Sequence, residues 1–116
     1  MVVRIFRGWM KPEDEKGIYR DFRTAMASGA RPAGMLDMIF ARNVGSDGRV
    51  ELITISMWTD MAAVVVGLGP DWQRPFGLKG FENRISDTTL EHLEVIADDW
   101  PELMALFAGE RVMRLS

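Results

Sequence analysis

His92 is the only histidine in the chain, and imidazole is the one side chain whose unperturbed pKa places its charge change near neutral pH. It can therefore serve as a general base toward an acidic hydroxyl. Glu94 follows two residues later, on the same face of an extended segment as Leu90 and Ile96, where it can orient the ring. Trp58 closes another extended segment and shares its face with Ser56, Thr54 and Leu52. An indole so placed can wall an aromatic ligand and donate its N–H to a carbonyl or quinone oxygen. Ser56 and Thr54, with Phe40, Arg42 and Asp37 on a neighbouring strand, extend this set to a binding surface. Trp72 and Phe76, on a long connection, can lie over it as a lid. Each residue also has a purely structural role open to it. His92 suits a hydrogen-bonded position on a barrel or dimer surface, and Trp58 a core plug between strand and helix. Arg42 and Asp37 suit solvated strand ends, and Trp72 and Phe76 packing that pins the loop.

Other chemistries lack their residues. With no cysteine among 116 residues, disulfides, thiolate nucleophiles and zinc–sulfur sites are excluded. A lone histidine makes a poor metal ligand, so no metal site is expected. Asp98-Asp99 and Glu13-Asp14-Glu15 read as acidic helix starts. No P-loop, dinucleotide fingerprint, HExxH or nucleophile elbow is present. The net charge is −3 and the 14 Lys and Arg are dispersed, which argues against a nucleic-acid partner or an anionic membrane surface. The longest uninterrupted apolar run, Met61 to Val66, is too short to span a bilayer, and Met1 to Met10 lacks the apolar stretch of a signal peptide. A cytoplasmic protein is expected. Nine methionines and four tryptophans suit an adaptable pocket or an oligomer interface, or equally a loosely specified core.

The elements that must position these groups follow from periodicity. Val2 to Trp9 alternates as a strand, with Arg4 and Arg7 expected near its ends or on an edge. Lys11-Pro12-Glu13-Asp14-Glu15 opens a helix with Ile18, Phe22, Ala25 and Met26 on one face, and Ser28-Gly29 with Arg31-Pro32 ends it. Gly34 to Val44 is a second strand, with Met35, Ile39 and Ala41 on one side and Leu36, Met38 and Phe40 on the other. Gly45-Ser46-Asp47-Gly48 turns the chain into an antiparallel third strand, Val50 to Trp58. Asp60 offers an N-cap to a short second helix, broken by Gly67, Gly69 and Pro70. A long irregular connection from Pro70 to Thr89 leads to a fourth strand, Leu90 to Ile96. Asp99-Trp100-Pro101-Glu102 starts a further helix, and Arg111 to Leu115 suits a last short strand.

The order predicts an α+β fold of the ferredoxin-like β-α-β-β-α-β kind, an antiparallel sheet with both helices on one face. Residues 1–97 form this domain, and residues 98–116 are a C-terminal extension of it. Because the strands are apolar on both sides, something must cover the face without helices. A twin sheet in a homodimer is the economical cover, and the C-terminal extension is the other candidate.

ITISMWTDMAAV, a strand ending in Trp58 and followed by a helix rich in small residues, resembles the antibiotic biosynthesis monooxygenase (ABM) family of the dimeric α+β barrel superfamily. LEHLEV, holding His92, resembles the His-Tyr-Glu-Val ending of that family's last strand, and GMLDMIFAR its second strand. The resemblance covers about Val3 to Ile96. It implies a homodimeric barrel with a ligand cleft between sheet and helices in each subunit, and no cofactor. Family members with known activities oxidise phenolic polyketides without metal or flavin, degrade haem, or oxidise quinol-like compounds. Haem-degrading members use an asparagine on the first strand and a histidine from the second helix. This chain has Arg4, Phe6 and Arg7 on the first and no histidine on the second, and Leu93 replaces the usual tyrosine. The expectation is a cofactor-independent monooxygenase acting on a planar phenolic or quinol-type small molecule. Trp58 would hold the ring, His92 would take the phenolic proton, and the loop would exclude water. The alternative is a non-catalytic small-molecule-binding or stress-related barrel, and a haem-binding protein is the third reading.

Overall fold

The computed structural model describes residues 1–74, 81, 83–96, 101–102 and 104–107. Strand β1 (Val2–Met10) leads through one 3-10 turn (Pro12–Asp14) into helix α1 (Glu15–Ser28). Strands β2 (Met35–Val44) and β3 (Val50–Trp58) follow as a hairpin, then helix α2 (Met61–Leu68), a 3-10 turn (Gly69–Asp71) and strand β4 (Ser86–Glu94). The strands make one antiparallel sheet in the order β2-β3-β1-β4. The α+β ferredoxin-like plan expected from the sequence is the observed one, and within one chain the sheet stays open at both edges.

Both helices cover the same sheet face because only that face carries the inward residues of β1 and β3. Along each of these strands buried and half-buried residues alternate without a break. Helix α1 buries Ile18 and Phe22 against Phe6, Met10, Val50 and Leu52, where Phe81 and Ile85 from the long connection join them. Each such side chain stabilises the fold by roughly 1.5–3 kcal/mol. Helix α2 is capped as expected, the Asp60 carboxylate accepting from the Ala63 N–H at 2.8 Å. It buries Val64 against Val2 and Trp58, forming a second, separate cluster. Gly67 permits this approach, since a Cβ there would lie 2.9 Å from the Trp58 ring and 2.9 Å from Pro32.

Three sequence expectations need correction, and one is met only in part. Arg4, third residue of β1, does lie near a strand end, but β1 is a central strand and not an edge, and the residue is buried. In β2 the register shifts between Met35 and Asp37, so Met35 and Met38 share the helix-facing side and Met35 parts from Ile39. An irregularity of this kind breaks the simple two-residue alternation. Strand β4 begins at Ser86, earlier than Leu90, and ends at Glu94, leaving Ile96 fully exposed. As an edge strand it carries polar residues on exposed positions, which hides the apolar alternation that marks β1 and β3. The connection is accordingly shorter, and its Phe81 and Ile85 belong to the core. Residues 101–102 and 104–107 are helical and exposed, as the Asp99-Trp100-Pro101 start suggested. Phe76 and the segment from Arg111 to Leu115 lie outside the described residues.

The face turned away from the helices carries Val3, Ile5, Ile53, Ile55 and Met57 in half-buried positions, with Ile39 53% and Leu93 45% exposed. None of the described helices is long and apolar enough to cross a membrane.

Candidate functional site

The helix-facing pattern of the strands has a break in it. On β1 the inward residues run Val2, Arg4, Phe6, and on β3 they run Leu52, Thr54, Ser56, Trp58. The antiparallel registers align the polar members: Arg4 is opposite Ser56 on one side and His92 on the other, and Met38 is opposite Ser56. The next row is Phe40, Thr54, Phe6 and Leu90. A polar row therefore crosses the sheet between the two apolar clusters, and no helix residue fills the space above part of it.

That space is a cleft of about 610 Å³ between the sheet and both helices. Phe6, Phe22, Met26, Met35, Met38 and Leu68 give it apolar walls, and Arg4 and Thr54 supply polar groups from the sheet. Arg31, Asp37 and Asp71, all exposed residues, complete the polar part of its lining. Arg31 is held by the carbonyls of Met35 and Leu36, at 2.8 and 2.6 Å. Asp37 accepts from the Met38 N–H at 2.8 Å.

Arg4 is only 9% exposed. One of its terminal nitrogens donates to the Arg74 carbonyl at 3.1 Å, while its Nε is buried without an acceptor. Among the described residues no carboxylate pairs with it, and burial pulls its pKa below the usual guanidinium value. His92, directly across the ladder, is half-buried, and its Nε2 is enclosed with no hydrogen-bond partner. Burial, and then the neighbouring Arg4 charge, hold the imidazole pKa below 6.5. His92 is therefore neutral at physiological pH, as a base must be. Trp72 stands edge-on to it with ring centroids 5.6 Å apart. No hydrogen bond joins Glu94 to His92 among the described residues, so the orienting role expected of Glu94 is not seen.

The remaining candidates separate. Thr54 lines the cleft. Trp58 does not: it is 0% exposed, and its Nε1–H already donates to Ser56 Oγ at 2.9 Å. The structure thus places it as the plug between strand and helix. Ser56, 3% exposed, is occupied with that bond. Phe40 and Arg42 line a smaller hollow of about 310 Å³ between α1 and β2. There Arg42 makes two hydrogen bonds to the Glu15 carboxylate, at 2.6 and 3.1 Å, which raise its pKa. Trp72 packs on the Trp58 cluster and touches His92 instead of lining the cleft. Among the described residues no group of His, Asp or Glu could hold a metal ion.

Sequence reasoning missed Arg4 as a site residue. The signal was present as a charged residue between Val2 and Phe6 on a face that must be buried, but assigning β1 to the centre of the sheet required the topology.

Neither a family model nor a curated protein sequence matches the chain. Solved structures do match. A proposed antibiotic biosynthesis monooxygenase from Deinococcus radiodurans superposes with a TM-score of 0.64 at 12% identity, covering 84% of this chain and 94% of that one. SnoaB, a cofactor-independent oxygenase from Streptomyces nogalater, gives 0.56 at 15% identity over 83% and 93% of the two chains. The chain has the fold of the antibiotic biosynthesis monooxygenases. MhuD, a haem degrader from Mycobacterium tuberculosis solved with two haems in its active site, shares this ABM fold with a TM-score of 0.59 at 18% identity over 84% and 98%. At identities this low the superpositions show a common fold alone, and function has to be argued from the site.

Proposed function

We propose that this protein is a cofactor-independent monooxygenase acting on a planar phenolic or quinol-type small molecule bound between sheet and helices. The observation that supports it is a largely apolar cleft whose sheet floor carries the buried cation Arg4, with the neutral imidazole of His92 next to Arg4 across the ladder, just outside the cleft's lining. An apolar slot with aromatic and methionine walls takes a flat ring system, and Thr54 offers a hydroxyl to its substituents. His92 takes the phenolic proton, and the resulting anion is electron-rich enough to react with O₂ at a ring carbon. For an anthrone-type ring the step balances as CH₂ + O₂ → C=O + H₂O. O₂ adds to the ring carbon as a hydroperoxide that takes back the proton held by His92. The remaining C–H bond then breaks, and its electron pair forms the C=O bond as the O–O bond cleaves. The departing hydroxide takes the released proton and leaves as water. The similarity in fold to a cofactor-independent oxygenase is in keeping with this reading.

Oxygen uptake with a panel of anthrones and hydroquinones tests it. Turnover by the wild type and its loss in His92→Ala is the expected result. No uptake across the panel, or equal uptake by the variant, refutes it. Binding without uptake would instead mark a non-catalytic small-molecule-binding protein. Haem fits the cleft less well, because no histidine, cysteine or tyrosine is among its described lining residues and α2 carries no histidine.

The same reading includes a homodimer. Val3, Ile5, Ile53, Ile55 and Met57 form a broad apolar face that a second sheet would cover, and large exposed patches of this kind mark association sites. Sedimentation should give twice the chain mass, and Ile55→Glu should halve it. A wild-type monomer at micromolar concentration refutes the dimer.

A further inference from the structure

The least satisfied group in the described structure is Arg4, and its position suggests what the cleft is built to hold. The residue is only 9% exposed, lines the cleft, and among the described residues has one acceptor, the Arg74 carbonyl. Its Nε has none, and no carboxylate among the described residues pairs with it. An unneutralised buried charge is costly, and proteins keep such a group when a partner repays the cost. Every other described arginine of the cleft and its rim is engaged differently. Arg31 is exposed and tied to two carbonyls, and Arg74 lies 3.5 Å from Asp71 in the open. Asp37 and Asp71 are exposed, so the charge deeper in the cleft is that of Arg4 alone among the described lining residues. The neighbouring imidazole cannot supply the missing negative charge, being neutral or positive.

We propose that the cleft selects an organic anion: a flat apolar ligand whose acidic oxygen group, ionised before it binds, becomes the counterion of Arg4. This deepens the oxygenase reading by naming Arg4 as the residue that determines specificity, and it rests on that reading only for the identity of the cleft. The geometry orders the ligand as well. The ring system lies against Phe22, Met26 and Met38, and the anionic group faces the sheet at Arg4 beside Thr54. Guanidinium matches a carboxylate with paired N–H donors, so carboxylates are the preferred form.

The test is calorimetric titration of the full chain with anthracene-2-carboxylate and with the corresponding primary amide, which has nearly the same shape and no charge. The wild type should bind the carboxylate roughly tenfold to a hundredfold more tightly, the range expected for hydrogen bonds to a charged group. Arg4→Met should level the two affinities, and Arg4→Lys should keep part of the preference. Without ligand, Arg4→Met should melt no lower than the wild type, since an apolar chain of similar length removes an unpaired buried charge. Equal wild-type affinities, binding of neither probe, or a preference surviving in Arg4→Met overturns the proposal. If Arg4→Met does not fold, the wild-type ratio and Arg4→Lys decide. Discrimination without oxygen uptake removes the oxygenase reading and leaves this one standing, whereas uptake without discrimination does the reverse.

Discussion

Trp58 and Ser56 allow a quantitative test of whether the indole is structural. The Trp58 N–H has no exposure and a single acceptor, Ser56 Oγ at 2.9 Å. Ser56→Ala leaves that donor without a partner in a site closed to water, at a cost of about 1–3 kcal/mol. Trp58→Phe removes the donor, leaves a void beside Val64, and costs about 2 kcal/mol from lost packing. In the double variant the orphaned N–H no longer exists, so the combined loss should fall short of the sum by about 1 kcal/mol. Urea unfolding of the four proteins, with unchanged slopes, measures this coupling. In thermal melts each kcal/mol corresponds to about 4 °C for a chain of this size. Additivity within about 0.5 kcal/mol refutes the reasoning. So would a Ser56→Ala variant as stable as wild type, for the N–H would then be reserved for something else.

Stability should also depend on pH through His92. Its folded pKa lies below 6.5, so between those two values the unfolded chain holds the extra proton and stability rises with pH. Acidification from about pH 6.5 should therefore lower the urea midpoint, and His92→Gln should remove that part of the decline. An identical profile in the variant contradicts the burial of the ring. The carboxylates of Asp21 and Asp47, held below their usual values chiefly by Arg84 and Arg49, add a separate loss at lower pH. Gly67→Ala should destabilise the fold. Its Cβ would stand 2.9 Å from the Trp58 ring, and overpacking of about 1–3 kcal/mol exceeds the roughly 1 kcal/mol gained in helix propensity. A raised melting temperature would show that the ring can move aside.

Periodicity alone determined most of the architecture. The alternations of β1 and β3, the Gly45–Gly48 turn, the Asp60 cap and the Gly29 stop are local signals, and local signals suffice where propensity and burial agree. β4 was misplaced because an edge strand need not bury alternate residues, and β2 changed face at a register shift with no distinctive residue to mark it. The site was less legible, since its residues come from separate segments. His92 and Trp58 were conspicuous by type, yet one lies under Trp72 and the other is consumed by Ser56.

What the sequence by itself determined is the set of inward residues on β1 and β3, because side chains alternate along a regular strand regardless of its neighbours. What only the tertiary structure decided is which of them meet. Strand order and register brought Ser56, Arg4 and His92 into one row and left a cleft that opens onto Arg4. Those are properties of pairing between distant segments, which the residues of any single segment do not encode.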